Sequence, residues 1–322
     1  MNTPLLQIRD LSVSYRTGLG QLQALRHVSF AVPAGKIIGI VGESGCGKST
    51  LISSIMRLFA PNAWVDNGSI VFRDKDLLGL SPDDMRYLRG NEISMVFQDP
   101  MTSLNPVLNI GRQMAGVQHR SSSSRADKRA RSLMMLERVG IPDPASQLKR
   151  YPHQLSGGMR QRVAIAMALM TEPSLLIADE PTTALDATLE VQIIHRLQEL
   201  QRDIGCSILF VSHHLGVIAE LCDEVIVMYA GEVCESGPTR DVFFQPRHPY
   251  TQKLLECDPA RIQQRTRQLP VIEGSLPNLV DLPQGCIFRQ RCKHGIARCA
   301  TERPLLAGDR HRTACHLSGT GS

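Results

Sequence analysis

Residues 37–50 read Ile37-Ile38-Gly39-Ile40-Val41-Gly42-Glu43-Ser44-Gly45-Cys46-Gly47-Lys48-Ser49-Thr50. The first five are apolar on both faces, the pattern of a strand buried within a sheet. The next nine carry the P-loop pattern G-x-x-x-x-G-K-S/T. Its glycines let the backbone curl so that successive N–H groups face inward and surround phosphate oxygens. Gly42, Ser44, Gly45, Cys46, Gly47 and Thr50 are therefore expected to contact a nucleotide, ATP. A helix expected from Lys48 to about Phe59 would add its positive N-terminal end. Lys48 supplies a point charge for the β- and γ-phosphates, and the Ser49 hydroxyl an oxygen for Mg²⁺. A glycine-rich turn with no ligand needs neither the strand before it nor the helix after it.

Working outward, Leu175-Leu176-Ile177-Ala178-Asp179-Glu180 is an apolar strand ending in two carboxylates. Asp179 is placed to hold Mg²⁺, directly or through water. Glu180, one residue on, is placed to orient or deprotonate an attacking water. Ser207-Ile208-Leu209-Phe210-Val211 reads as another buried strand, with a helix Leu189–Asp203 between the two. Strand–helix–strand order predicts a parallel arrangement with right-handed crossover. Upstream, Leu6–Arg9, Leu11–Tyr15 and Val28–Val32 alternate apolar and polar residues, the period of half-buried antiparallel strands. Residues 84–170 read mostly helical, with Ser121–Ser124 as an exposed connection, and Val225–Tyr229 with Glu232–Ser236 as a hairpin around Ala230-Gly231. The expected fold is α/β, a P-loop NTPase with a mixed sheet, an antiparallel β-subdomain and a helical subdomain over about 84–165.

Bulk properties fit a globular chain: 322 residues, 42% hydrophobic, 21% charged. No apolar run reaches the roughly 18 residues of a membrane-spanning helix, and the N-terminus lacks the features of a signal peptide. A cytoplasmic protein, held at a membrane only by a partner, is expected. The net charge of +5 matches that of residues 286–322 alone, where seven Lys/Arg face Glu302 and Asp309. The plain reading is a solvated basic tail. Four of nine cysteines, Cys286, Cys292, Cys299 and Cys315, fall in that same segment. In a reducing compartment such clustering points to metal rather than disulfides. Cys46 reads as a small filler in its loop.

A further stretch, Leu155-Ser156-Gly157-Gly158-Met159-Arg160-Gln161-Arg162, resembles the signature sequence of ABC ATPases. The rest of that family's pattern follows in order. Tyr15 resembles the aromatic that stacks on adenine. Gln98 resembles the Q-loop glutamine that senses Mg²⁺ and the membrane partner. Ala184-Leu185-Asp186 resembles the D-loop, and His213 the switch histidine that contacts the γ-phosphate; His214 stands where the family usually has an acidic residue. The resemblance implies that Ser156, Gly157 and Gly158 cover ATP bound to another subunit, so a second homologous ATPase, identical or related with a non-identical one expected, completes the site. Gln98-Asp99-Pro100-Met101-Thr102-Ser103-Leu104-Asn105-Pro106 and Arg247-His248-Pro249-Tyr250-Thr251 look like the ATPases of dipeptide, oligopeptide and nickel importers.

That resemblance implies an ABC ATPase domain over residues 1–240 and an importer-type extension over 241–322. It implies two transmembrane permease subunits, an extracytoplasmic solute-binding protein, no nucleic acid, and a peripheral place on the cytoplasmic face of the inner membrane. Some relatives of this group carry a 4Fe-4S cluster on a similar C-terminal cysteine set. The spacing Cys286-x5-Cys292-x6-Cys299-x15-Cys315 is unlike paired C-x-x-C knuckles, and three readings stand: a 4Fe-4S cluster, Zn²⁺, or plain thiols. Two other functions compete, a soluble ABC protein of translation or DNA repair and an inactive regulatory subunit. The first usually needs two modules or a long coiled coil; the second fits poorly with Gln98, Glu180 and His213 all present.

Overall fold

A computed structural model describes residues 3–99, 103–182, 187–258 and 270–318. Two compact units emerge, one of Met1–Val32, Ile38–Leu80 and Ser212–Ser322, the other of Pro33–Ile37 and Ser81–Val211.

In the first unit β1 (Leu6–Thr17) lies between β2 (Gly20–Val32) and β4 (Ala63–Phe72), antiparallel to both, and the short β5 (Lys75–Asp76) pairs antiparallel with the other edge of β4. The alternation in the sequence becomes alternation of faces: Leu6, Ile8, Leu11 and Val13 are at most 1% exposed. Burying a side chain of this size is worth about 1.5–3 kcal/mol, so the inner row of β1 holds the sheet to its core. The Ile37–Val41 run forms β3, buried throughout, and pairs in parallel with β9 (Glu224–Tyr229). β9 turns through Ala230-Gly231 into antiparallel β10 (Glu232–Pro238), and β10 pairs with the short β11 (Arg312–Thr313) near the end of the chain. Parallel and antiparallel neighbours make this sheet mixed. The helix after the P-loop runs Lys48–Met56 and stops short of Phe59, because Arg57 turns left-handed (φ 48°) and its N–H closes onto the Ser53 and Ser54 carbonyls.

In the second unit β6 (Ile93–Val96), β7 (Leu175–Asp179) and β8 (Ser207–Val211) are parallel, with the helix Ala187–Ile204 crossing between β7 and β8. β6 is a strand that the mostly helical reading of residues 84–170 did not include. Four residues carry too little periodicity to announce a strand, and pairing with β7 decides the outcome. Helices Pro82–Leu88, Ile110–Val117, Arg125–Arg138 and Gly157–Leu169 occupy much of the rest. Ser124 opens Arg125–Arg138 with a capping box to Asp127.

The last described stretch, 270–318, has little regular structure. It is held by side chains and the β10–β11 pairing. Glu235 on β10, wholly buried, accepts from the backbone N–H groups of Arg247 (2.7 Å) and His248 (2.9 Å) and lies 2.6 Å from Nε2 of His311. Arg303 reaches Glu232 at 3.1 Å, and Ala314 donates to the Cys234 carbonyl. The basic tail is thus not simply solvated: two of its arginines, Arg291 and Arg303, reach back to Glu43 and Glu232.

Candidate nucleotide site

In the first unit the P-loop has the backbone its sequence demands. Gly42 (φ 154°) cannot carry a side chain, because a Cβ would stand 2.2 Å from the Met228 carbonyl oxygen. Gly47 (φ 104°) caps the Lys48–Met56 helix, and a Cβ there would stand 2.7 Å from the Ala24 carbonyl. Below the loop, Cys46 is buried and its carbonyl accepts from Gly231 at 3.0 Å. Burial pushes the Cys46 thiol up, against the opposing pull of Lys48, so it packs as a neutral filler. Lys48 is buried, with Nζ 2.6 Å from the Gly42 carbonyl and 3.2 Å from that of Glu43. Its ammonium therefore lies across the loop where phosphate oxygens are expected. Ser44, Gly45 and Ser49 are exposed. Tyr15, on β1, meets Thr50 at 3.2 Å through its hydroxyl. That contact ties the expected adenine-stacking residue to the end of the P-loop. His213 is exposed just after β8, packed edge-on to His214 with ring centres 4.3 Å apart.

In the second unit β7 ends in Asp179 and Glu180. Glu180 takes a left-handed backbone conformation (φ 45°), and its N–H donates to the Val211 carbonyl at 2.9 Å. A non-glycine residue held there is strained, and such strain concentrates at working sites. Gln98 donates from Nε2 to Oε2 of Glu180 at 2.9 Å, so two expected catalytic residues meet. The signature serine, Ser156, caps the Gly157–Leu169 helix, accepting from the Met159 N–H at 3.3 Å, and is itself exposed. The helix start is open to an anion. Asp186 and its D-loop neighbours lie outside the described residues, as do Pro100–Thr102.

The four clustered cysteines share one neighbourhood. The Cys286 N–H donates to the Cys299 carbonyl at 2.9 Å. Burial, then the nearby Cys299, Cys315 and Cys292, pushes the Cys286 thiol up to about 11. Among the described residues no three His, Cys, Asp or Glu side chains converge tightly enough to hold one metal ion.

Sequence reading missed the surroundings of Glu43. Arg291 grips its carboxylate with two nitrogens, at 2.7 and 3.1 Å, and the Tyr250 hydroxyl accepts from its N–H at 2.9 Å. A signal existed: a carboxylate inside a phosphate-binding loop calls for a cation nearby.

Residues 25–183 match the ABC transporter family, and residues 234–299 match "Oligopeptide/dipeptide transporter, C-terminal region". The chain is 48% identical to the dipeptide transport ATP-binding protein DppD of Bacillus subtilis over 97% of this chain and 94% of that one. It is 46% identical to the probable D,D-dipeptide transport ATP-binding protein DdpD of Escherichia coli, over 98% and 97%. Among solved structures it resembles the dimeric ATP-binding cassette MJ0796 bound to ADP and Pi (TM-score 0.66, 28% identity, 73% of this chain and 99% of that one). It also resembles cbiO1 of Clostridium perfringens, part of a transporter complex (TM-score 0.65, 30% identity, 75% and 91%). No helix among the described residues is long and apolar enough to cross a membrane. With an ATP-site loop, a signature helix and a C-terminal region of one transporter type in a single chain, this protein belongs to the ABC transporter ATPases, in the branch of the dipeptide and oligopeptide transporters.

Proposed function

We infer that this chain hydrolyses ATP to power the uptake of dipeptides or oligopeptides through two permease subunits, with a second ATPase subunit completing the ATP sites. The observation that carries this reading is the match of residues 234–299 to the peptide-transporter C-terminal region behind a P-loop with Lys48 laid across it. In this reading Lys48 and the loop N–H groups bind the β- and γ-phosphates. Ser49, Asp179 and Gln98 are the oxygen donors suited to Mg²⁺, a hard cation, which supplies charge neutralisation at the phosphates. Glu180, oriented by Gln98, positions the attacking water; His213 contacts the γ-phosphate and Tyr15 the adenine. Ser156, Gly157, Gly158 and Asp186 serve the ATP of the partner subunit. Positioning and electrostatics carry most of the rate, and dimer closure and reopening drive alternating access. A solute-binding protein outside the cytoplasm delivers the peptide, and the chain sits peripherally on the cytoplasmic membrane face.

Purification with its permease and ATPase partners tests this. Hydrolysis in membranes should rise on addition of a peptide-loaded binding protein. Turnover indifferent to permease and binding protein would replace transport with a soluble ABC role, and stimulation by nickel alone would move the solute class.

Cys286, Cys292, Cys299 and Cys315 fit a 4Fe-4S cluster better than Zn²⁺. A zinc ion needs its sulfurs all about 2.3 Å from one centre, whereas four irons each take one thiolate, spread around a cube. Four cysteines close enough to influence one another offer the four thiolates that such a cluster takes. Iron and acid-labile sulfide in anaerobically purified protein, lost on Cys299→Ser, are the expected result; stoichiometric zinc, or no metal at all, would discard it.

A further inference from the structure

Glu43 puts a negative charge into a loop that receives a polyphosphate. Left alone, it would repel the ligand or pair with Lys48 in its place. The structure removes it from that role. Arg291 donates to both carboxylate oxygens, Nη1 to Oε2 at 2.7 Å and Nη2 to Oε1 at 3.1 Å, a fork that matches carboxylate geometry. The guanidinium is itself fixed. Nη2 donates to the Ile272 carbonyl at 2.8 Å, Nε to the Glu273 carbonyl at 2.9 Å, Nη1 to the Tyr229 hydroxyl at 3.3 Å, and Cζ lies 5.6 Å from the Tyr229 ring centre. Its side chain is 5% exposed against 28% for Glu43, so this is no mobile surface pair. On the backbone side the Glu43 N–H is taken by Tyr250, whose ring packs with Tyr229 and Phe288 at 4.7 and 5.4 Å. Both ends of Glu43 are thus held by residues beyond 240.

We propose that Arg291 is a positioning residue for ATP: it neutralises Glu43 and holds it aside, so that the positive field of the P-loop faces the phosphates. The inference rests on the reading of Gly42 and Ser44–Thr50 as the ATP site. Arg291 directly precedes Cys292, so the same ion pair joins the four-cysteine segment to the nucleotide loop.

The test uses the full chain and calorimetric titration with Mg²⁺ and AMP-PNP, with AMP as comparison. Arg291→Gln should weaken AMP-PNP about tenfold or more, since truncating one partner strands the other charge, and should weaken AMP far less. Glu43→Gln should stay within about twofold of the parent, and Glu43→Gln added to Arg291→Gln should return affinity to within about threefold, because no charge is then stranded. That rescue separates positioning from a merely structural staple, which the second substitution would not mend. Parent-like affinity in Arg291→Gln, or a double variant as weak as the single, overturns the proposal. If Arg291→Gln does not fold, Arg291→Lys, which keeps the charge and loses the fork, should bind at an intermediate level in the Glu43 chain and gain affinity with Glu43→Gln; no gain overturns it equally. A parent chain that fails to bind AMP-PNP would strike the ATP reading itself.

Discussion

Glu43 and Glu180 are both carboxylates close to nucleotide motifs, one turned away from its loop and one proposed to work, and the protein treats them in opposite ways. Glu43 is gripped by a guanidinium at two points and half-buried. Glu180 sits on a left-handed turn of backbone and meets the neutral amide of Gln98. An arginine fork fixes a carboxylate at two points and sets a cation against it; the Gln98 amide orients one through a single neutral hydrogen bond. The difference teaches that identity as an acid says nothing of role: the partner decides whether the group is silenced or put to use.

The same chemical change at both positions is the sharpest way to break this contrast. Glu180→Gln should retain ATP binding and lower turnover of the assembled transporter by about 10²–10⁴-fold, the usual worth of a positioned base. Measured by phosphate release, Glu43→Gln should stay near the parent rate. Equal losses at the two sites would end the comparison.

The support behind Glu43 can be attacked further back. Glu235→Ala strips the buried carboxylate from the Arg247 and His248 N–H groups and from His311. Urea unfolding should show a loss of about 3–5 kcal/mol, the scale of breaking a buried pair from one side. An unchanged midpoint would mean that the C-terminal segment is anchored elsewhere.

A smaller effect should follow pH. Burial lowers the His248 ring to about 4, partly opposed by its hydrogen bond to the Ala314 backbone. Its Nδ1 accepts from the Tyr250 N–H at 3.0 Å, which requires that nitrogen unprotonated. Glu235, at the His248 N–H, and the His311 ring beyond it are the titratable neighbours on the packed strands. The unfolded histidine titrates near 6.5, so between about 6.5 and 4 the unfolded chain binds the proton first. The contribution is complete above 6.5 and is lost as pH falls toward 4, about 3 kcal/mol in all. Urea midpoints at the two ends should show it, and His248→Gln should flatten that part of the curve; equal slopes in the two proteins would remove His248 from the account.

Local pattern made much of this molecule legible. β3, β7 and β8 announced themselves as short, largely apolar runs between turn residues, and the P-loop by glycines, of which Gly42 and Gly47 are needed for close approach. The Gln98 and Glu180 pairing was open to expectation because both sat in recognisable motifs. What stayed hidden has a common physical cause. Arg291 and Glu43 lie 248 residues apart, and Arg303 and Glu232 lie 71 apart. Neither pair leaves a periodic trace, so a segment held by such contacts reads as a solvated basic tail. β6 escaped because four residues among helices are too few to show a period, and its existence depends on β7 beside it.

The grip of Arg291 on Glu43 also sets an order in time. A ribosome adds about 5–20 residues per second, and the 248 residues between them thus take roughly 10–50 seconds to appear. Throughout that interval the nascent nucleotide loop carries its acid unguarded. On the proposal above, full competence for ATP would come only once Arg291 had left the tunnel, long after the loop it serves, which would make this pair a timing device in biogenesis.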